Sequence, residues 1–151
     1  VTRFNTIVGN HPAGTPQEIM AQIARQCSFL LEEVNETMKA ATENDIVEVA
    51  DGIADVEYVA AYLKTLIKAM GVDQEAVFNA VCDNNDEKFT TSEELALCWV
   101  AEKDYLTFIS EVEYEGEKYL TVRREKDRKV TKYDGFPKVD LIPFIPEELL
   151  K

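Results

Sequence analysis

Apolar positions in the first third of the chain recur with the period of an α-helix. The run Thr15-Pro16-Gln17-Glu18 is typical of a helix start, with Thr as N-cap, Pro in the first turn and Glu completing a capping box. Spacings of three and four then connect the apolar residues Ile19, Ile23, Cys27, Leu30, Val34 and Met38. The pattern predicts a long amphipathic helix over about residues 15–41, after an irregular segment over residues 1–14.

A second long helix is predicted to run antiparallel to the first. The connection Thr42-Glu43-Asn44 is too short for any other arrangement. The next helical pattern covers about residues 45–70, and Gly71 ends it. Two shorter helices are predicted over about 73–84 and 91–103.

The last third of the chain changes to a strand pattern. Alternating, β-branched and aromatic residues occupy 109–114, 118–124 and 129–133, with turn-type residues between them. This predicts a small β-meander, closed by an extended segment over 136–146. We therefore expect a mainly α fold in a single domain, residues 1–151, with a helical body (15–103) and a β-meander with its tail (104–151).

Charge restricts the classes of partner. The chain carries 29 Asp and Glu against 16 Lys and Arg, a formal net charge of −13. Such a surface repels nucleic acid and anionic membranes, so neither is expected to bind. Solubility alone would also explain the charge.

Cysteine usage and hydropathy indicate the compartment. Cys27, Cys82 and Cys98 lie in apolar helical patterns without metal-ligand spacing, and we expect buried free thiols of a reducing compartment. The sequence has no basic-apolar signal segment and no apolar stretch long enough to span a bilayer. A cytoplasmic location is expected.

Six carboxylates are concentrated on the two long helices. On the second helix, helical phase places Glu48, Asp51 and Asp55 in the strip of Val59, Tyr62 and Leu66, opposite Glu57, Lys64 and Lys68. We therefore expect these three acids to face inward. Ionised and unpaired carboxylates are costly there, so a cation should meet them.

The acids of the first helix are ambiguous by themselves. Glu32, Glu33 and Glu36 share a broad face with Arg25 and Phe29, opposite the apolar stripe. A solvated acidic face explains them about as well as a functional site does. Paired antiparallel with the second helix, however, they would complete a pocket of carboxylates suited to roughly one to three Mg²⁺ ions.

These residues resemble the all-α nucleoside triphosphate pyrophosphohydrolases, the MazG-like and phosphoribosyl-ATP-pyrophosphohydrolase-like group. The signature of that group, Glu-Glu-x-x-Glu and then Glu-x-x-Asp, is matched by Glu32-Glu33-x-x-Glu36 and Glu48-x-x-Asp51. Asp55 and the segment Asn84 to Phe89 are similar to the phosphoribosyl-ATP-pyrophosphohydrolase-like branch, including its members in bacteriophage genomes. The resemblance covers about residues 15 to 141. That branch often has a His near the N-terminus, where this chain has Phe4-Asn5.

The resemblance implies a fold and a chemistry. The fold would be an antiparallel helical bundle completed by dimerisation, so we expect a homodimer or a dimer of dimers. The enzyme would use Mg²⁺, with Mn²⁺ as a possible substitute, to cleave the bond between the α and β phosphates of a (deoxy)nucleoside triphosphate. Monophosphate and pyrophosphate would be the products.

The resemblance also assigns residues to roles. The metal ligands would be Glu33, Glu36, Glu48 and Asp51, with Asp55 either a ligand or an outer-shell carboxylate. The candidate catalytic residues are Glu32 and Glu33, and Glu32 would be either the water-activating base or a ligand of a second metal. The candidate substrate-binding residues are Lys88 for the triphosphate, Asn84 and Asn85 for sugar or base, and Arg25 for phosphate. An ordinary helix-end lysine and a plain salt bridge are the structural alternatives for Lys88 and Arg25.

Two other functions stay open at this stage. Phosphoribosyl-ATP hydrolysis would use the same site chemistry on a different nucleotide. An acidic helical protein that blocks a basic partner would also account for the net charge. This second alternative predicts carboxylates spread over the outer surface rather than gathered between two helices.

Overall fold

The computed structural model describes residues 1–151, except for the side chain of Thr2. Its helices are α1 (Thr2–Ile7), α2 (Pro16–Glu43), α3 (Ile46–Ala69), α4 (Gln74–Asp86) and α5 (Glu93–Ala101). Its strands are β1 (Phe89–Thr90), β2 (Thr107–Tyr114) and β3 (Glu117–Arg124), and two 3₁₀ turns follow at Ile142–Phe144 and Glu147–Leu149. The prediction of a mainly helical chain with a small C-terminal sheet is confirmed.

The chain forms two compact units. The first unit contains Val1–Gln74 and Ile142–Lys151, and the second contains Glu75–Leu141. Helices α4 and α5 therefore group with the sheet, apart from Gln74, rather than with the long helices. The single domain over 1–151 stays a prediction.

The first unit is built on the antiparallel hairpin of α2 and α3. Thr15 and Glu18 form the predicted capping box, with the Thr15 hydroxyl accepting from the Glu18 amide and the Glu18 carboxylate accepting from the Thr15 amide. Hydrogen bonding from Thr15, chiefly from its backbone amide, to the Glu18 carboxylate lowers the pKa of Glu18. Asn44 ends α2 in the left-handed region at φ 59°, and Asp45 caps α3 by accepting from the amides of Val47 and Glu48. The tight connection predicted from sequence is confirmed.

The N-terminal segment differs from the expectation of an irregular structure. Thr2–Ile7 form the short helix α1, which has no side-chain cap hydrogen bond. Its sequence has no capping residue that marks a helix start, and six residues are too few to show a helical period of apolar positions. Tertiary contacts stabilise it instead: the Phe4 ring packs edge-on against Tyr58 of α3, at 6.2 Å between ring centroids.

The core of the first unit lies away from the tight turn between α2 and α3. Ile19, Tyr62 and Leu66 are buried together, and Ile23 and Met70 pack against them. Nearer the turn, the buried Gly52 sits against Thr37, where a Cβ atom would lie 2.3 Å from Thr37 Oγ1. Any side chain at position 52 would therefore require Thr37 to shift.

The second unit contains a three-stranded antiparallel sheet in the order β1-β3-β2. A two-residue turn, with Glu115 at φ 52° and Gly116 at φ 82°, joins β2 to β3 and confirms this predicted hairpin. Leu120 and Val122 of β3 are buried, as is Ala96 of α5.

The third predicted strand, over residues 129–133, is wrong. Val130 makes only an isolated bridge with Arg123, while β1 pairs with Leu120 and Thr121 of β3. Two short segments thus share one edge of β3, and neither has room to form a long strand. The extended tail predicted over 136–146 is likewise interrupted by the 3₁₀ turn at Ile142–Phe144.

Two further expectations can be compared with the described residues. Cys27, Cys82 and Cys98 are free thiols, but Cys27 and Cys98 are exposed and Cys82 is half-buried, so their predicted burial is wrong. The apolar stripe that contains Cys27 is only partly covered by the contacts of this chain. Within the described residues, no helix is both long and apolar enough to cross a bilayer.

Candidate active site

The acids of the two motifs line one cavity between α2 and α3. The cavity has a volume of about 250 Å³ and contains six carboxylates in its lining: Glu33, Glu36 and Glu43 from α2, and Glu48, Asp51 and Asp55 from α3. Lys39 is the one basic side chain among the described residues of this lining. We call this space the carboxylate cavity. The antiparallel hairpin therefore brings together the two acid runs that are separate in sequence.

The predicted inward orientation of the α3 acids is only half right. Val59, Tyr62 and Leu66 of the same strip are buried, but Glu48, Asp51 and Asp55 are exposed at the open cavity. The strip passes from the core of the first unit to the turn end of the hairpin, where the cavity is open to water. Because these carboxylates are exposed, their position does not by itself demand a cation.

Glu32 and Glu33 occupy different environments. Glu33 is half-buried and lines the carboxylate cavity, whereas Glu32 is exposed and is not among the lining residues. Burial raises the pKa of Glu33, and the negative charges of Asp55, Glu36, Glu32 and Asp51 raise it further. Carboxylates of both α2 and α3 therefore contribute to the raised pKa of Glu33.

Replacing Glu33 by glutamine should stabilise the metal-free protein at neutral pH. The pKa of Glu33 is raised on folding, so its favourable contribution exists below the unfolded pKa and is lost as pH rises through the folded pKa. We expect Glu33→Gln to raise Tm by roughly 2 °C at pH 7.5 with a chelator present, and the difference to vanish near pH 3.5. Thermal unfolding measured across pH tests this.

Glu148→Gln is the matched control, because it removes the same charge from an exposed position of the first unit. Its Tm should stay close to that of the parent protein at both pH values. A Tm of Glu33→Gln equal to or below that of the parent at pH 7.5 would contradict the electrostatic interpretation.

The donor atoms of the carboxylate cavity fit a hard divalent cation. Carboxylate oxygens are the ligands that Mg²⁺ prefers, and among the described residues none of the six acids forms an ion pair. Across the described chain, no group of three or more His, Cys, Asp or Glu side chains is placed to hold a metal ion. Coordination would therefore need side-chain rotation on α2 and α3.

The predicted substrate residues downstream belong to the second unit. Asn84 Nδ2 donates to the Pro137 carbonyl at 3.0 Å, and Lys88 Nζ donates to Asn85 Oδ1. These contacts order the end of α4 and the segment after it. A role in substrate binding for these three residues stays a prediction.

A second cavity, which sequence reasoning missed, adjoins the carboxylate cavity. It has a volume of about 220 Å³ and shares Glu33 with the carboxylate cavity. Its remaining lining consists of Phe4, Asn5, Asn10, Gln26, Phe29, Tyr58, Val59 and Tyr62. We call it the aromatic cavity. Its lining comes from α1, the following loop, α2 and α3. Because helix α1 was not predicted, this cavity could not be predicted from the sequence either.

A third cavity continues from the aromatic cavity towards the start of α2. It has a volume of about 200 Å³, and the two cavities share Asn10, Gln26, Phe29 and Tyr62. Gly9, His11, Gln22 and Arg25 complete its lining, and we call it the arginine cavity. Arg25 forms no ion pair among the described residues, so the expected salt bridge to a glutamate is absent there. His11 is an exposed part of this lining.

One face of α2 connects the three cavities. Gln22, Gln26, Phe29 and Glu33 recur at spacings of four, three and four, which places them in one row along the helix. This row of amide, aromatic and acidic side chains was the sequence signal that could have revealed the additional cavities.

Comparison with known protein families adds an independent observation. Residues 1–85 match the family model described as phosphoribosyl-ATP pyrophosphohydrolase. The match includes α1, α2 and α3, and hence the whole lining of all three cavities. No curated protein and no solved structure matches the chain. The family match covers more than half of the chain and confirms the resemblance inferred from the two acid motifs.

Proposed function

Because the chain belongs to the phosphoribosyl-ATP pyrophosphohydrolase family, we propose that it is a Mg²⁺-dependent nucleoside triphosphate pyrophosphohydrolase. It would cleave the bond between the α and β phosphates of a (deoxy)nucleotide and release monophosphate and pyrophosphate. The observation that carries the proposal is the carboxylate cavity, where the acids of both motifs line one space. Such chemistry depends on charge neutralisation and positioning more than on covalent groups of the protein.

The carboxylates of the two motifs would hold the metal. Glu33, Glu36, Glu48, Asp51 and Asp55 all line the carboxylate cavity and offer oxygen ligands only. Bound Mg²⁺, or Mn²⁺ in its place, supplies charge neutralisation for the phosphate oxygens and aligns them for in-line attack. Because all of these ligands lie on α2 and α3, a single helical hairpin carries the whole set.

A carboxylate outside the metal coordination would activate the water. As the water oxygen bonds to phosphorus and the bridging P–O bond breaks, one water proton passes to a carboxylate oxygen. Glu32 and Glu33 are the candidates, and Glu33 would take this role only where Glu36, Glu48, Asp51 and Asp55 hold the metal without it. Glu33 borders both the carboxylate and the aromatic cavity, which supports its contact with the reacting region. Glu32, being exposed and outside the lining, would need a conformational change to act there.

The α2–α3 hairpin supports a homodimer. Leu31 and Met38 of α2 are 60% and 62% exposed, and Ile53 of α3 is 50% exposed. A shallow apolar cavity of about 490 Å³ joins Met38 and Ile53 through Val34, Ala41 and Val56. Two helices alone cannot cover an apolar face of this size, so a second copy would complete a four-helix bundle. A dimer of dimers remains the larger alternative.

Phosphoribosyl-ATP is the second candidate substrate, and the arginine cavity favours it. Arg25 lies eight residues before Glu33, or about 12 Å along α2 at the helical rise per residue. Phosphoribosyl-ATP carries a second phosphate beyond its base, in addition to the triphosphate. The arginine cavity continues from the aromatic cavity and contains Arg25, so a cation is present where such a phosphate would extend.

The test of the proposed function is the identity of the products. The 151-residue chain with Mg²⁺ is incubated with each ribo- and deoxyribonucleoside triphosphate and with phosphoribosyl-ATP, and the products are separated by chromatography. We expect monophosphate and pyrophosphate in equal amounts from at least one substrate. Diphosphate with orthophosphate, or no turnover of any nucleotide, would contradict the proposal. No turnover would favour the acidic binding protein that blocks a basic partner.

A further inference from the structure

The aromatic cavity combines flat rings with amide groups. The Phe4 and Tyr58 rings meet edge to face at 71°, and Phe29 leaves 46% of its surface exposed. Amides are contributed by Asn5, Asn10 and Gln26. Proteins bind nucleobases by stacking them against aromatic or apolar side chains and by hydrogen bonding to their edges. The composition of this cavity is therefore suited to a flat heterocycle.

Asn5 is the polar residue most strongly fixed in this cavity. It is only 7% exposed, and its Nδ2 donates to the Val1 carbonyl at 3.0 Å. Its backbone carbonyl accepts from the Asn10 amide at 2.7 Å, which joins α1 to the following loop. Only the amide nitrogen of a side chain can donate to a carbonyl, so the hydrogen bond to Val1 fixes which end of the Asn5 amide remains available.

The available atom of Asn5 is a hydrogen-bond acceptor. Among the described residues, Asn5 Oδ1 has no hydrogen-bond partner, although the residue is almost completely buried. Asn5 Oδ1 keeps some accessible surface, because Gln22 Oε1 is the one completely buried side-chain polar atom without a partner among the described residues. A ligand that supplies an N–H group can therefore reach Asn5 Oδ1 and hydrogen-bond to it. A ligand that places a carbonyl oxygen at the same point would add repulsion between two acceptors.

Gln22 repeats this arrangement in the adjoining arginine cavity. Its Nε2 donates to the Ala13 carbonyl at 3.2 Å, and its Oε1 is buried without a hydrogen-bond partner. Two side-chain amides of the joined cavities thus have their donor end bonded to backbone and their acceptor end unpaired. The polar complement of these two oxygens is an N–H donor.

Resting on the proposed function, we propose that the aromatic cavity binds the base of the substrate nucleotide and that Asn5 Oδ1 selects a base with an exocyclic amino group. Adenine and cytosine present an amino group where hypoxanthine and uracil present a carbonyl oxygen. The triphosphate would then extend past Glu33 into the carboxylate cavity. This makes α1 the element that determines base preference.

Equilibrium binding tests this inference without turnover. The Kd of the 151-residue chain with Mg²⁺ is measured for adenosine, inosine, cytidine and uridine 5′-monophosphates. We expect at least one amino-bearing base, compared with its oxo counterpart, to bind about tenfold more tightly or better. Equal affinity within both pairs, or no binding of any of the four, would overturn the inference.

Variants of Asn5 assign the preference to this side chain. Asn5→Leu removes the acceptor at similar size and should reduce the amino-to-oxo affinity ratio to within about threefold. Asn35→Leu makes the same replacement at an exposed position of α2 outside the three cavities and should keep the parent ratio. A parent-like ratio in Asn5→Leu would overturn the role of Asn5. If Asn5→Leu does not fold, as judged by circular dichroism, Asn5→Ala, which also removes the acceptor, decides by the same ratio.

The outcomes separate base selection from catalysis. Turnover of ATP and ITP with equal kcat/KM, together with equal monophosphate affinities, would remove base selection and leave the hydrolase proposal intact. A clear preference for amino-bearing monophosphates, without hydrolysis of any triphosphate, would remove the hydrolase proposal and leave the base site intact.

Discussion

Glu36→Gln is expected to lower kcat/KM for the accepted nucleotide by roughly 10³-fold or more, with the fold unchanged. Glu36 lines the carboxylate cavity and belongs to the Glu-Glu-x-x-Glu motif. Glutamine keeps the size of the side chain but removes a charged oxygen that would bind the metal, and losing one such electrostatic group typically costs at least two orders of magnitude. Steady-state kinetics at saturating Mg²⁺ measures the loss.

The control for this variant is again Glu148→Gln, which removes one charge from an exposed position of the first unit. Its kcat/KM should stay within about twofold of the parent, because only a ligand position is expected to affect the transition state. A Glu36→Gln enzyme with parent-like kcat/KM would contradict the assignment of the carboxylate cavity as the metal site.

Met38→Glu is expected to convert a dimer into a monomer. Met38 is 62% exposed and lines the shallow apolar cavity between α2 and α3. Two copies of an isologous interface would each bury a new carboxylate against apolar surface, which costs several kcal/mol if the charges stay unpaired. Light scattering at micromolar concentration should show the mass fall from twice 17.1 kDa to 17.1 kDa.

Leu106→Glu is the matched control for the dimer interface. Leu106 is 74% exposed and belongs to the second unit, outside the apolar face of α2 and α3. This variant should retain the mass of the parent protein. A monomeric parent, or a Met38→Glu protein that keeps the dimer mass, would contradict an interface on this face.

Local chemistry made the long helices predictable. The Thr15-Glu18 capping box, the Asn44 terminus and the Asp45 cap depend on residues within one helical turn, so the sequence contains them completely. Helix α1 could not be recognised, because contacts such as Phe4 with Tyr58 connect residues more than fifty positions apart. The strand predicted over residues 129–133 was wrong for a related reason. The sequence pattern alone did not show that β1 and Val130 share one edge of β3.

Helical phase predicted which acids of the candidate site lie together, but it did not predict which of them are buried. Phase correctly placed Glu48, Asp51 and Asp55 in one strip that faces the acids of α2. Helical phase could not show that this strip of α3 leaves the core of the first unit before it reaches the three acids. Nor could it distinguish Glu33, which borders two cavities, from the exposed Glu32 beside it. That distinction depends on which neighbouring helix covers which side of α2.

The close approach at Gly52 has a consequence for how this protein can change by mutation. Gly52 has no functional group, yet an added Cβ atom would lie 2.3 Å from Thr37 Oγ1 and 3.2 Å from Thr37 Cβ, so Thr37 or the helix that carries it would have to shift. A shift of either helix would separate the carboxylates across that gap, and the cation proposed for this cavity would tolerate only a few tenths of an ångström. Position 52 should therefore be as intolerant of substitution as the acids themselves, and homologues that alter it should also have altered the residue at position 37.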